Sequence, residues 1–321
     1  MKKLGFGFMR LPRLDDQSIN MDLVKQMVDA FMKQGFTYFD TAYKYCGGLS
    51  EPALREALID RYPRESYILT TKLSNEFMKS KEEQEQVFED QMQRLRVDYF
   101  DYYLLHNQGA VNYKVSQELD SFAFVLKKKA EGKIKHIGIS FHDKADLLEE
   151  ILTARPEIEV VQLQINYLDW ENESIQSRKC WEVARKHGKP VIVMEPIKGG
   201  SLVNIPEQAE ALLKSYAPEA SNASWALRFA ASHEGVIMVL SGMNSMEQLK
   251  DNMDTMKELV PFTEQEFKIT EEAAKIIQEN MTIPCTGCGY CTVQCPKKNS
   301  DSGIFFSFSA RIYDNADCVL L

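Results

Sequence analysis

Gly35-Phe36-Thr37-Tyr38-Phe39-Asp40-Thr41-Ala42-Tyr43 is the stretch on which the reading of this chain turns. Its first residues, Gly35 to Tyr38, read as a short strand. A Gly-Gly pair (Gly47, Gly48) and a helix start at Ser50 follow. An acid, and a phenol three residues on, therefore stand where a strand gives way to a loop. In a β/α barrel that is the face on which chemistry is done. Two later strand ends supply further polar groups: Lys72 in Leu69-Thr70-Thr71-Lys72, and His106 in Leu104-Leu105-His106.

Working outward, strand and helix patterns alternate along most of the chain. The strands are Leu4 to Met9, the stretch above, Tyr67 to Lys72, Tyr99 to Leu105, Ile134 to Ile139, Val160 to Ile165, Val191 to Met194 and Val236 to Leu240. Helical spacing separates them: Met21 to Phe31, then a helix opened by Ser50 as cap with Pro52 in its first turn, Ser80 to Leu95, Glu118 to Glu131, Lys144 to Leu152, Ser174 to Lys186, Ala209 to Tyr216, Ala223 to Ser232 and Ser245 to Met256. Thr263 to Met281 reads as one more helix, with Thr263 and Glu266 as a capping box. Eight strands separated by helices mean parallel strands covered by helices. An open doubly wound sheet would carry a Gly-rich phosphate loop after its first strand. Gly5-Phe6-Gly7-Phe8 is not followed by a helix start, which favours a closed (β/α)8 barrel. The expected division is a barrel over 1–262, a connecting helix over 263–282 and a small cysteine-rich segment over 283–321.

The chain has 321 residues, 44% of them hydrophobic, and a net charge of −9. That is enough for a sizeable core and gives no basic face for nucleic acid. Lys127-Lys128-Lys129 reads as a solvated helix face. No stretch reaches the ~20 apolar residues of a membrane span. Met1-Lys2-Lys3 leads into a first strand rather than a signal peptide, so a cytoplasmic location is expected.

Asp40, Tyr43, Lys72 and His106 make a constellation suited to carbonyl reduction. That reaction needs a hydride donor and a proton donor on the oxygen. A phenol is a weak acid, and a neighbouring ammonium favours its phenolate. A carboxylate beside the lysine holds the ammonium in place, and an imidazole can orient the carbonyl.

The chain resembles the aldo-keto reductases. The likeness runs through Gly5-Phe6-Gly7-Phe8-Met9-Arg10-Leu11-Pro12, Phe39-Asp40-Thr41-Ala42-Tyr43, Thr71-Lys72, Asp98-Tyr99-Phe100-Asp101-Tyr102-Tyr103-Leu104-Leu105-His106 and Gly138-Ile139-Ser140. The resemblance implies a β/α barrel that reduces a small-molecule aldehyde or ketone with NADP or NAD and has no Rossmann domain. It implies Tyr43 as acid/base, Lys72 and Asp40 as its tuning groups, and His106 as the orienter of substrate. It implies Ser140 and Gln162 at the nicotinamide carboxamide, with Asn166 nearby, and Met194 where many members stack a tyrosine on the ring. Lys198 and Gly199 after the seventh strand, and Ser241 and Gly242 after the eighth, fall in phosphate-binding loops. Gln248 stands near the place of an arginine that often holds the NADP 2′-phosphate, and Asn252 matches an adenine contact. Asn75-Glu76-Phe77, Asn107-Gln108 and Trp170 are candidates to line the substrate pocket.

Four of the seven cysteines fall within eleven residues: Cys285-x2-Cys288-x2-Cys291-x3-Cys295-Pro296. This is the bacterial ferredoxin run and predicts a 4Fe-4S cluster. A zinc site is the alternative, although zinc usually takes two separated ligand pairs. In two-cluster ferredoxins the fourth cysteine serves the other cluster. Here no second run follows, only Cys318. The resemblance extends to those aldo-keto reductases that carry a ferredoxin-like tail, with that tail cut short. A cluster implies an electron-transfer protein as partner. It also leaves a rival reading, in which the barrel binds cofactor as a redox sensor or electron carrier. Cys46 and Cys180 read as packing residues.

Overall fold

A computed structural model describes residues 2–280. Eight parallel strands close on themselves in chain order: β1 (Leu4–Gly7), β2 (Tyr38–Asp40), β3 (Ile68–Leu73), β4 (Phe100–Gln108), β5 (Ile134–Phe141), β6 (Val160–Gln164), β7 (Val191–Met194) and β8 (Val236–Ser241). The seam pairs Phe6 with Ser241, and β2 to β3 pairs Asp40 with Thr70. The closed barrel, favoured over an open sheet because no helix start follows Gly5-Phe6-Gly7-Phe8, is the observed one.

Two glycines let the barrel interior fill. A Cβ on Gly138 would lie 2.5 Å from Val160, and one on Gly5 would lie 2.6 Å from the Leu240 side chain. Their bareness admits Tyr38, Leu104, Val160, Ile192, Met238 and Leu240, which pack as a cluster of their own. Outside the strands a second, larger core lies under the helices. Around α1 (Met21–Lys33) it is aromatic, with Phe6, Phe8, Phe31, Phe36 and Phe39 all buried. Each such burial stabilises the fold by roughly 1.5–3 kcal/mol.

The remaining helices are α2 (Ser50–Leu54), α3 (Lys81–Leu95), α4 (Ala110–Glu118), α5 (Ser121–Ala130), α6 (Ala145–Ala154), α7 (Ser177–Lys186), α8 (Glu207–Tyr216), α9 (Asn222–Ala231), α10 (Met246–Lys257) and α11 (Glu264–Asn280). Two expectations are corrected here. The helix expected over Glu118 to Glu131 is α5, which begins at Ser121 after Asp120 at φ 52°, and α4 before it was not expected. Ser50 is not a cap: its hydroxyl donates to the Phe8 carbonyl at 2.8 Å and ties α2 to the β1 turn. The Thr263–Glu266 capping box is present, with each residue's amide N–H donating to the other's side chain. Helix α11 packs against α8 and buries Ile269, Ala273, Ala274 and Ile277. No helix among the described residues is long and apolar enough to cross a membrane.

Candidate active site

The C-terminal strand ends converge on one cleft of about 1070 Å³, running from Asp40 and Tyr45 to the first turns of α9 and α10. Its floor holds a buried ion pair. Lys72 Nζ donates to Asp40 Oδ1 at 2.5 Å and to the Thr41 carbonyl at 2.9 Å, and the lysine side chain is wholly buried. Asp40 Oδ2 accepts a longer bond from Gln162 Nε2, at 3.3 Å. Burial pulls the Lys72 ammonium below the ordinary lysine range, and the Asp40 charge opposes that pull.

The Tyr45 ring lies over this pair, with Lys72 Nζ 4.8 Å from the ring centroid. Its edge meets His106 at 5.6 Å between centroids and 76° between planes. His106 is fixed from behind by Ser74, whose Oγ is 2.9 Å from Nδ1. Burial, aided by the Lys72 charge, holds the His106 imidazole well below its ordinary pKa, so the ring stays neutral.

Tyr43 is elsewhere, which corrects the expectation placed on it. Its hydroxyl donates to Asp90 Oδ2 at 2.8 Å and accepts from Arg94 at 3.1 Å, and the Arg94 guanidinium stacks on its ring at 4.3 Å. Both partners belong to α3. The turn after β2 thus sends Tyr43 outward to the helix layer and brings Tyr45, two residues later, over the cleft. Cys46 at φ 54° and Gly47 at φ 67° complete the turn.

Of the residues expected at a cofactor, Gln162, Met194, Gly199, Ser241, Gly242, Gln248 and Asn252 line the cleft. Asn252 Nδ2 donates to Ser241 Oγ at 2.9 Å, tying α10 to the end of β8. Two others are committed to different partners. Ser140 Oγ accepts from the Asn107 amide at 2.8 Å. Lys198 Nζ donates to Asp169 Oδ1 at 2.5 Å in a second buried ion pair. The wall there is formed by Gly199 and Gly200, at φ 65° and 100°, with no side chain between backbone and cleft. Among the pocket candidates, Asn75 is buried and donates to Ser116 and Ser121, and Trp170 stacks on His233 at 4.1 Å. Burial pushes the Glu76 carboxyl up to about 7.

Sequence reasoning missed Tyr45, and it missed Arg10 and Glu195, which line the cleft and approach each other to 3.9 Å. For Tyr45 the available signal was its place directly before the Cys46-Gly47-Gly48 turn. Cys285, Cys288, Cys291, Cys295 and Cys318 lie outside the described residues. Among the described residues no group of three or more His, Cys, Asp or Glu side chains could hold a metal ion.

The family model described as "Aldo/keto reductase family" matches residues 3–275. L-galactose dehydrogenase of Arabidopsis thaliana is 26% identical, over 88% of this chain and 92% of its own. NADH-specific methylglyoxal reductase of Escherichia coli is 26% identical, over 73% and 84%. The aldo-keto reductase AKR11C1 of Bacillus halodurans, in its holo form, superposes with a TM-score of 0.69 at 27% identity, over 85% of this chain and 92% of its own. An aldo-keto reductase of Klebsiella pneumoniae in complex with NADPH superposes with a TM-score of 0.67 at 21% identity, over 84% and 90%, a likeness of fold.

Proposed function

The chain belongs to the aldo/keto reductase family, and from that premise we propose that it reduces a small aldehyde or ketone with a nicotinamide dinucleotide, Tyr45 giving the proton. The observation that carries the assignment is the buried Lys72–Asp40 pair beneath the Tyr45 ring, with His106 at its edge. A nicotinamide dinucleotide supplies the hydride when bound. The fit of this chain to such a group rests on three features. The cleft is slightly larger than the ~300–1,000 Å³ typical of ligand pockets, which suits an elongated ligand beside a small one. Backbone alone forms the wall at Gly199 and Gly200. Gln162 carries an amide beside Asp40 at the reactive end.

The roles of the side chains follow from charge. As Tyr45 gives its proton to the carbonyl oxygen, negative charge grows on the phenol. The Lys72 ammonium offsets it at short range in a place that excludes water. Asp40 keeps that ammonium charged and aimed. Neutral His106 can donate an N–H to the carbonyl oxygen and so orient it. Lys198 and Ser140 hold the cleft walls in this reading rather than touching the cofactor.

The test is a pair of variants assayed with a panel of aldehydes and ketones. Tyr45→Phe is expected to lower kcat by ~10²–10⁴ while leaving dinucleotide affinity nearly unchanged. Tyr43→Phe is expected to keep kcat within about twofold, since it removes one hydroxyl from the helix layer. The reverse pattern would sink the assignment.

The cysteine run completes the proposal. Four soft thiolates at ferredoxin spacing suit a 4Fe-4S cluster held by Cys285, Cys288, Cys291 and Cys295. Such a cluster stores a single electron and implies an electron-transfer protein as partner. Cys46 and Cys180 are unbridged, which fits a reducing, cytoplasmic setting. Protein purified without oxygen should carry ~4 iron and ~4 acid-labile sulfide per chain. Zinc in their place would remove the cluster from the proposal and leave the barrel chemistry standing.

A further inference from the structure

The two ends of the cleft differ in charge, and the difference bears on which dinucleotide it takes. This step rests on the reading above, which puts the nicotinamide at Asp40, Tyr45 and Gln162. The adenosine then falls at the far end, between α8 and the first turns of α9 and α10.

A phosphate on the adenosine ribose is close to a dianion. It is held by fixed cations, and by amide donors at a helix start. The first turn of α10 is the obvious place, but the protein has used one of its donors, and the amide just before its cap, itself. The Gln248 amide donates to Ser245 Oγ at 3.2 Å, and the Asn244 amide donates to Gln248 Oε1 at 3.0 Å. The exchange resembles a capping box, displaced by one residue at its N-terminal side. Glu247 sits in the same turn and sets its own negative charge against the positive end of the helix.

The side chains around this end lean the same way. The carboxylates of Glu210, Glu247, Asp251 and Asp254 line it against the ammonium groups of Lys214 and Lys250. Four acids against two bases leave a local charge of −2. Lys214 is moreover paired with Glu210. Lys250 stands three residues after Glu247 and four before Asp254, on one helix face with both. A 2′-phosphate would enter against net negative charge, and no arginine stands in α8 or in the first turns of α9 and α10; Arg10, on the cleft wall beside Gly242, faces the Glu195 carboxylate at 3.9 Å. A 2′-hydroxyl is itself a donor, and carboxylates are the acceptors it wants.

We propose that this cleft selects the dinucleotide whose adenosine ribose keeps its 2′-hydroxyl, NAD(H), and discriminates against the 2′-phosphorylated form. The self-capped start of α10, standing among Glu210, Glu247, Asp251 and Asp254, is what discriminates.

Calorimetric titration of the full chain with NAD⁺ and with NADP⁺, at low and at physiological salt, tests this without turnover. NAD⁺ is expected to bind at least tenfold more tightly, about 1.4 kcal/mol. The gap should narrow with added salt, because the repulsion is screened over ~8–10 Å. Gln248→Arg should raise NADP⁺ affinity about tenfold or more. Glu247→Gln, an exposed change that keeps both Gln248 bonds, should raise it by a smaller factor. NADP⁺ binding as tightly as NAD⁺, or more tightly, overturns the inference and leaves the reductase assignment intact. Failure of both nucleotides to bind overturns the reductase assignment, and this inference with it.

Discussion

Two lysine–aspartate pairs lie at the mouth of this barrel, and they are nearly identical as pairs. Lys72–Asp40 and Lys198–Asp169 are both 2.5 Å apart, and all four side chains are at most 5% exposed. Their surroundings differ. Asp169 Oδ2 accepts from Gln164 and from Asn166, each at 2.8 Å, so both carboxylate oxygens are closed off. Asn166 also donates to the Glu195 carbonyl, which fastens a loop that carries positive φ at Glu195 and at Lys198. That loop is held against its own strain, and the pair acts as its strut. Asp40 has only the 3.3 Å bond from Gln162 on its second oxygen, and its lysine lies under an aromatic ring at the cleft. A buried ion pair is therefore not in itself a site. It becomes one when its charge faces a cleft and a group that can give a proton.

Breaking each pair separates the two roles. Lys72→Met should remove the charge that stabilises a Tyr45 phenolate, and kcat should fall by ~10²–10⁴. Left alone, Asp40 would be an uncompensated buried charge, at a cost of roughly 3–5 kcal/mol in stability. The double variant Lys72→Met, Asp40→Asn avoids that cost and should show the same loss of kcat in a folded protein. Lys198→Met should do the opposite. Its stability loss, also roughly 3–5 kcal/mol, should appear as a lower melting temperature and a higher KM for the dinucleotide. Its kcat at saturating dinucleotide should stay within about threefold. If Lys198→Met instead abolishes kcat, the pairs do not divide as described.

What could be read from the sequence follows from which residues have a periodic environment. The eight strands were legible because parallel strands buried on both faces appear as short apolar runs between helical repeats. Asp40, Lys72 and His106 were legible because strand ends are fixed by that pattern. Tyr43 and Tyr45 fall beyond it, in a turn with no period. From the sequence both are phenols shortly after an acid, and only their partners, Asp90 and Arg94 for Tyr43 against Lys72 and His106 for Tyr45, tell which one faces inward. Lys198 was placed in the right loop and Ser140 at the right strand end, but side-chain direction there depends on distant partners, Asp169 and the Asn107 amide. The start of α5 turned on the left-handed backbone at Asp120, which apolar spacing does not signal, and α4 was not read as a helix.

A smaller effect is expected at the outward phenol. Tyr43→Phe removes a hydroxyl bonded to Asp90 and Arg94, both part-exposed, and should cost roughly 0.5–1.5 kcal/mol of stability. Asp90→Asn should cost a comparable amount. The two together should cost less than their sum, because they share one contact. Chemical denaturation of the four proteins measures this. Additivity would mean that the Tyr43 hydroxyl does not work through Asp90.

The smallest expected effect concerns protons, and it tests whether the two lysines differ as described. His106 is held neutral first by burial and then by the Lys72 charge, so its folded pKa lies well below its unfolded one. The unfolded chain therefore takes up a proton near pH 6.5 that the native chain refuses, and stability is lost as pH falls below that value. His233, pushed down to about 4 by burial, adds to the same loss. Across pH 6 to 8 the His106 ring should show no titration by NMR, and kcat/KM should show no inflection that belongs to it. The Lys72→Met, Asp40→Asn variant should move the His106 pKa upward, while keeping it below the ordinary value, since burial remains and the repelling ammonium is gone. Lys198→Met should leave it where it is, because its charge faces Asp169 in another wall. An equal shift in both variants would mean that the imidazole responds to the whole mouth of the barrel and not to the pair beneath Tyr45.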